Sequence, residues 1–368
     1  MVNEKRLLDT FLEYVQIDSE TKNEKAMGEK LVSDLKELGF EVQTDKAGEG
    51  FGSNGFNVHA FLEGTIPGDP TIMCAHMDTV VPGNGIKPII EDGVIRTDGS
   101  TILAGDDKSG IAAIMEALKV IREQNLPCRS CDILFTIGEE GGMNGVKNMD
   151  LSMLKGKEAM VFDASGDIGK VLTCGPGQIK IFATIIGRSS HAGLAPEAGI
   201  SAIQVAAKGI AKMNLLRIDE ETTCNIGTLK AEYATNIVPE RAEFVAEVRS
   251  RNLDKLNAQA AHIQKCLQDA CDEMGATLEI RLMTNYVSFN VADDDDLVKR
   301  VFASCERLGL KAETAKGGGG SDANVMALHG IKPIVLSTGM TKVHTTGETL
   351  KIDDLNRCAE LVLDLMTH

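Results

Sequence analysis

Apolar positions along the chain follow two alternating rhythms, and the alternation predicts its architecture. The opening MVNEKRLLDTFLEYVQ is amphipathic with a period near 3.6, its acids on the polar face. It predicts a helix over roughly residues 3–16, and a second helix follows over 24–39, closed by Gly39. Strand-like runs come next at EVQTD, FNVHAFLEG and TIMCAHM. The segment KSGIAAIMEALKVIREQN then places Ile111, Ile114, Met115, Leu118 and Ile121 at helical spacing. CDILFTIGEE, EAMVFDASG and KVLTCG are β-rich runs that each end in polar residues or glycine. Strands alternating with helices predict an α/β fold, a mixed sheet flanked by helices on both faces.

Near Cys174-Gly175-Pro176-Gly177 the pattern changes. QIKIFATIIG reads as a strand, AGISAIQVAAKGIAKMN as a helix, and CNIGTLKAEYATNIVPERAEFVAEVRS as a hairpin-like pair of strands. LDKLNAQAAHIQKCLQDACDEMG and LEIRLMTNY add a helix and a strand. This β-α-β-β-α-β order is that of a ferredoxin-like α+β unit. From about Val287 the chain returns to helix, strand and helix at LVKRVFASCERLG, KPIVLSTG and DDLNRCAELVLDLM. The expected organisation is a discontinuous domain, 1–174 with 287–368, carrying an inserted lid or dimerisation domain at 175–286. A length of 368 residues exceeds what one core usually serves, in keeping with two domains.

Composition narrows the function classes. With 43% apolar and 25% charged residues the chain is ordinary for a globular protein. A formal net charge of −16, no tryptophan and no basic stripe argue against a nucleic-acid partner. No apolar run is long enough to span a membrane, and the N-terminus lacks the pattern of a signal peptide. The nine cysteines, odd in number and partly inside apolar runs, suit reduced thiols and a cytoplasmic setting. Cys128 and Cys131 form a lone C-x-x-C, with neither a second pair for zinc nor a clear following helix to lower a thiol pKa. Asp293 to Asp296 precede a helix, where carboxylates cap free N–H groups. Gly317 to Gly320 lack the G-K-[ST] ending of a phosphate loop but lead into Ser321-Asp322 at a helix start.

Five short segments carry candidate chemistry. MCAHMDTV sets His76 and Asp78 two apart at the end of an apolar strand, so that alternation would point both to one face. Asp78 is then placed to fix the tautomer of a metal-binding His76, although H-x-D alone also describes a solvated strand end. LAGDDKSG puts Asp106 and Asp107 before a helix, as an N-cap or as metal ligands. FTIGEEGG ends a strand with Glu139 and Glu140, one able to bind metal while its neighbour takes a proton, or else a helix start. VFDASG ends a strand in Asp163, and HTTGE supplies His344 from a distant loop. Sites in open α/β sheets lie beyond the carboxyl ends of strands. Mixed oxygen and nitrogen donors there suit zinc, cobalt or manganese.

AHMDTV, GDDKSG, IGEEGG, VFDASG and VHTTGE in this order, with GRSSHAG inside the insert, resemble the M20 metallopeptidases, within them the peptidase T-like (tripeptidase) branch. The resemblance covers nearly the whole chain. It implies two zinc ions per subunit bridged by Asp106, with His76 and Asp163 completing one and Glu140 and His344 the other. It implies Asp78 as the residue that orients His76, Glu139 as general base and a cis peptide at Asp106-Asp107. It further implies that His191 reaches the oxyanion from the insert of a partner subunit, and that Asn236 and Arg249 hold substrate. Gly319, Gly320 and Ser321 would bind the same substrate carboxylate through N–H groups. Asp163 stands where some carboxypeptidase-like members carry Glu, and so leans toward aminopeptidases and aminoacylases. The expected activity is release of the N-terminal residue from tripeptides and other short peptides. The alternatives are an N-acyl-amino-acid amidohydrolase, a carboxypeptidase, or a non-catalytic peptide-binding protein; an intact Glu139 argues against the last. A homodimer is expected through the insert, where QIKIFATIIG would pair or pack with its symmetry mate.

Overall fold

The computed structural model describes residues 1–368. The chain forms two compact units: one of Met1–Cys174, Asn290–Gly317 and Ser321–His368, the other of Gly175–Phe289 with Gly318–Gly320.

The first unit is built on a mixed sheet. Strands Arg129–Thr136, Ile66–His76, Glu158–Ala164 and Lys332–Ser337 lie side by side and parallel, in that order. Val58–Leu62 joins one side antiparallel, and Lys170–Gly175 joins the other. Alternation sends Met73, Ala75, Ile133, Phe135, Met160, Phe162, Ile334 and Leu336 into one large apolar cluster. Their neighbours Ile72, Cys74, Leu134, Val161 and Val335 face the other way and are also buried. Both faces are therefore covered, which is why these strands read as continuous apolar runs.

Helix Glu4–Val15 starts at Asn3, whose side chain accepts the Arg6 N–H at 3.1 Å. It buries Leu7, Phe11, Tyr14 and Val15 against the long helix Gly105–Gln124. The two are also joined by a fork: Arg6 Nε and Nη2 donate to buried Glu116 at 2.7 and 2.8 Å. The C-terminal helix Ile352–Thr367 packs along the same long helix. Three very short strands, Ile89–Glu91, Val94–Arg96 and Leu350–Lys351, form a separate sheet with no counterpart in the sequence reading. Two or three residues give alternation nothing to repeat over. The acidic run behaves as a cap, with Asp295 accepting the Leu297 N–H at 2.9 Å.

The second unit has strands Gly177–Ile186, Thr222–Lys230, Arg241–Ser250 and Thr277–Tyr286 in one antiparallel sheet. Helices Ala202–Ile210 and Leu253–Met274 share its apolar cluster with Ile179, Ile181, Ala183 and Ile185. The first helix is shorter than AGISAIQVAAKGIAKMN predicts, because Ser201 caps it and Pro196–Ala198 makes a separate turn. Edge pairing of QIKIFATIIG with a symmetry mate, one of the two contacts expected of it, does not occur. Gly177–Ile186 is interior, paired with Arg241–Ser250 on one side and Thr277–Tyr286 on the other, so it has no free edge for a symmetry mate.

The Arg6 fork yields a stability prediction. Arg6→Ala strands the Glu116 carboxylate without its cation and is expected to cost about 3 kcal/mol. Glu123→Ala removes the exposed second partner of Arg6, 2.5 Å from Nη1, and is expected to cost at most about 1 kcal/mol. Urea midpoints of the two variants check the order.

Candidate active site

The four parallel strands each deliver a polar group at or beyond their carboxyl ends. Ile66–His76 ends on His76, and Asp78 lies two residues on. Arg129–Thr136 runs into the 137–143 loop with Glu139 and Glu140. Asp163 is the penultimate residue of Glu158–Ala164. Lys332–Ser337 leads into the loop that bears His344, half exposed and in the left-handed region at φ 61°. Asp106 comes from the start of Gly105–Gln124, where the Asp106-Asp107 peptide is cis.

These groups converge on Asp106. Its Oδ1 lies 3.1 Å from His76 Nε2, and its Oδ2 lies 3.2 Å from His344 Nε2. Each imidazole nitrogen has a second carboxylate: Asp163 Oδ1 at 3.7 Å from His76, Glu140 Oε1 at 2.8 Å from His344. Ligand atoms of His76, Asp106 and Glu140 lie within 4.8 Å of one another, as do those of His76, Glu139 and Asp163.

The electrostatics show a surplus of negative charge. Burial pushes the Asp163 carboxyl up to about 7, against its hydrogen bond with His76, and the Asp106 and Glu140 charges add to the shift. Burial and then the Asp163 charge hold Glu139 well above the usual carboxylate range. Burial would also raise Asp106, but hydrogen bonds with His344 and His76 outweigh it and hold that carboxyl low. The same contacts, Asp106 first and Glu140 second, raise His344 to about 10. Glu140 Oε1 is shut off from solvent and accepts no hydrogen bond, despite the 2.8 Å approach of His344. An orphaned buried oxygen among crowded carboxylates and imidazoles is a donor set that fits divalent cations.

Carboxylates with other duties bind main-chain groups. Asp78 lies past the strand end, where alternation no longer governs its direction. Its carboxylate accepts the N–H groups of Glu139 at 2.9 Å and Glu140 at 3.2 Å, and the Thr21 hydroxyl at 2.8 Å. His76 Nδ1 is 3.0 Å from the Asp78 carbonyl oxygen and 3.6 Å from its carboxylate. Asp107 accepts the His76 and Gly110 N–H groups at 3.2 and 3.3 Å. Thr21, Asp322 and Glu348 belong to the site's surroundings but were missed as functional in the sequence. Asp322, read only as a helix start, is buried and accepts the Thr136 hydroxyl at 2.5 Å. Burial pushes it up to about 6. Glu348 shares the HTTGE motif with His344, a signal that could have found it.

The remaining candidates lie in or beside the second unit. His191 is exposed at an isolated bridge to Ile237, just before a turn, and its Nδ1 accepts the N–H groups of Gly193 and Leu194 at 3.2 Å each. Asn236 is exposed, with its carbonyl accepting the Ala192 N–H. Arg249 is engaged with Glu247, Nε to Oε1 at 2.9 Å and Nη2 to Oε2 at 3.3 Å. A Cβ at Gly320 would fall 2.5 Å from the Tyr286 ring, whereas Gly319 is open. Ser321 belongs to the first unit and is committed to its own helix: its N–H donates to Asn324 Oδ1 at 3.0 Å and its hydroxyl caps Ala323. All nine cysteines are buried and none forms a disulfide, and burial pushes Cys131 up to about 12.

Comparison with known proteins places this geometry. Peptidase family M20/M25/M40 matches residues 72–368. The chain is 42% identical over 366 residues to the uncharacterized protein YqjE of Bacillus subtilis, covering 100% of this chain and 99% of that one. The crystal structure of aminopeptidase PepT from Bacillus cereus superposes with a TM-score of 0.93 at 41% identity, covering 100% of this chain and 98% of the other. A tripeptidase from Staphylococcus aureus gives 0.96 at 39% identity with the same coverage.

Crowded charge makes metal binding and stability move together. Adding Zn²⁺ to metal-free protein is expected to raise the thermal midpoint, by the equivalent of about 2.7 kcal/mol when free ion reaches 100 times its Kd. Asp163→Asn is expected to separate the two, stabilising the metal-free protein while weakening ion binding. Thermal unfolding with and without a chelator checks both signs.

Proposed function

Starting from the premise that the chain belongs to peptidase family M20/M25/M40, a metal-dependent hydrolase family, we propose that it is a dinuclear zinc exopeptidase that releases the N-terminal residue of tripeptides. The observation that carries this reading is the double use of Asp106, one oxygen toward His76 and the other toward His344, each imidazole backed by a second carboxylate. Asp106 would bridge, with His76 and Asp163 on one ion and Glu140 and His344 on the other; cobalt or manganese suits the same donors. The tripeptide part rests on the similarity to the aminopeptidase PepT and the tripeptidase.

When bound, the ions polarise the scissile carbonyl and make a water acidic enough to attack it. Glu139 is the base: it is buried beside His76 and Asp163, and Asp78 holds its N–H. Its carboxylate takes a proton and returns it to the leaving amine. His191, reaching in from the insert of a partner subunit, would supply a donor to the oxyanion. Because Nδ1 accepts two N–H groups, the ring proton of the neutral imidazole sits on Nε2, free to donate. Glu247 holds the Arg249 fork, and Arg249 with Asn236 and the Gly319–Gly320 backbone would receive the substrate's terminal carboxylate. Buried cysteines without disulfides support a reducing, cytoplasmic setting. The homodimer expected through the inserted unit would use an outer strand such as Thr277–Tyr286.

Two measurements test the reading. Glu139→Gln is expected to keep both ions while kcat falls by about 10² to 10⁴. Glu140→Gln should instead lose one ion, as metal analysis would report; an active Glu139→Gln enzyme with its metals in place removes Glu139 as the base. The substrate is tested with a tripeptide, its C-terminal amide, its N-acetyl form and a ten-residue peptide. Amidation should lower kcat/KM at least about tenfold, since a charged partner lost from a desolvated site costs several kcal/mol. The ten-residue peptide should be poor. If the N-acetyl compound is best, the enzyme is a deacylase.

A further inference from the structure

The loop that carries His344 is tied to the segment that carries Asp106 through one buried carboxylate. Glu348 Oε2 accepts the N–H groups of Leu103 and Ala104, each at 2.9 Å, and Oε1 accepts the N–H of Asp106 at 2.9 Å. Ala104 is left-handed at φ 62°, which turns these N–H groups toward a single point, the geometry of a main-chain anion nest. Gly105 leaves room for the carboxylate: a Cβ there would lie 3.0 Å from Oε1. At its other end Glu348 is fixed in the His344 loop. Its N–H donates to Thr345 O at 3.1 Å, and paired bonds between Thr341 and Thr349 close the loop. Leu350 then pairs with Ile95 in the small sheet, just upstream of the Asp106 segment.

We propose that Glu348 is a positioning residue that sets the gap between Asp106 Oδ2 and His344 Nε2, and thereby the affinity of the ion those two groups share with Glu140. Glu348 is nearly inaccessible to solvent, and its carboxylate accepts from main-chain N–H groups rather than from the ligand side chains. It acts through main chain, holding Asp106 by its N–H and His344 by the shared loop. Three N–H donors make the carboxylate specific. An amide at this position would turn an NH₂ toward one or two of them, and an aspartate would be one methylene too short to reach. The effect falls chiefly on the ion shared with Glu140: the other shares Asp106, but its remaining ligands His76 and Asp163 are held by their own strands. The inference rests on the dinuclear reading above.

The test is Co²⁺ titration of the metal-free, full-length protein, followed by visible absorption and calorimetry. The wild type should bind in two steps, and Glu140→Gln identifies the step belonging to the His344 side. Glu348→Gln and Glu348→Asp are expected to weaken that same step by about ten- to a hundredfold and the other, through the shared Asp106, by far less. At saturating Co²⁺, KM for peptide should stay at the wild-type value. Gly105→Ala, which crowds the carboxylate without removing it, should weaken the same step to a smaller degree and serves if the Glu348 variants fail to fold. Arg6→Ala, destabilised elsewhere, should leave both steps intact. Variants with both steps unchanged, or both weakened alike, overturn the proposal. A wild type that takes up two ions without cleaving peptides overturns the proposed activity and leaves this inference standing. A wild type that takes up fewer than two overturns both.

Discussion

Mutual repulsion among carboxylates at one edge of the sheet is the constraint around which the first unit is arranged. Parallel strands end together, so the residues that follow them share one confined space, and here those residues are acids. Burial makes each charge costlier, and the opposed shifts of Asp106 and Asp163 show that the protein resolves the repulsion only in part by itself. His76 and His344 supply positive charge to two oxygens of one carboxylate. Divalent cations would supply the rest.

The acids outside the ligand set are managed differently, and this division of labour gives the site its shape. Asp78, Asp107 and Glu348 all accept backbone N–H groups, from the 139–140 loop, from His76 and from the 103–106 segment respectively. Donated N–H groups favour a charged carboxylate, but burial outweighs them at Asp107, held well above the usual carboxylate range, and at Glu348, pushed up to about 7. A carboxylate so occupied has its hydrogen bonds without an ion. It also fixes the backbone that donates to it, and the fixed backbone aims the next ligand. The site is thus held by chain segments far apart in sequence, with Glu348 more than two hundred residues from the N–H groups it binds.

In the second unit the ferredoxin-like order leaves the strand QIKIFATIIG between two partners, a consequence of connecting β-α-β-β-α-β into one antiparallel sheet. Chain order alone places that strand first, and nothing in its alternation says whether it ends at an edge. The same limit applies to Arg249, whose residue type suits a carboxylate but whose pairing with Glu247 arises from neighbouring positions on one sheet face.

What the sequence determined by itself is what repeats or what is local. Apolar, β-rich runs of five or more residues gave the long strands, and helical periodicity gave Glu4–Val15, Gly105–Gln124 and Leu253–Met274 to within a few residues. Ordered motifs at strand ends identified His76, Asp106, Glu140, Asp163 and His344 as candidates, because a parallel sheet brings such ends together whatever lies between them. Tertiary structure decided the rest. The three short strands are too brief to have a period. Asp78 turns its carboxylate to the 139–140 amides because the strand has already ended at His76. Glu348 gains its role only when residues 103–106 fold beneath it, since a main-chain N–H leaves no mark in the identity of the residue that carries it.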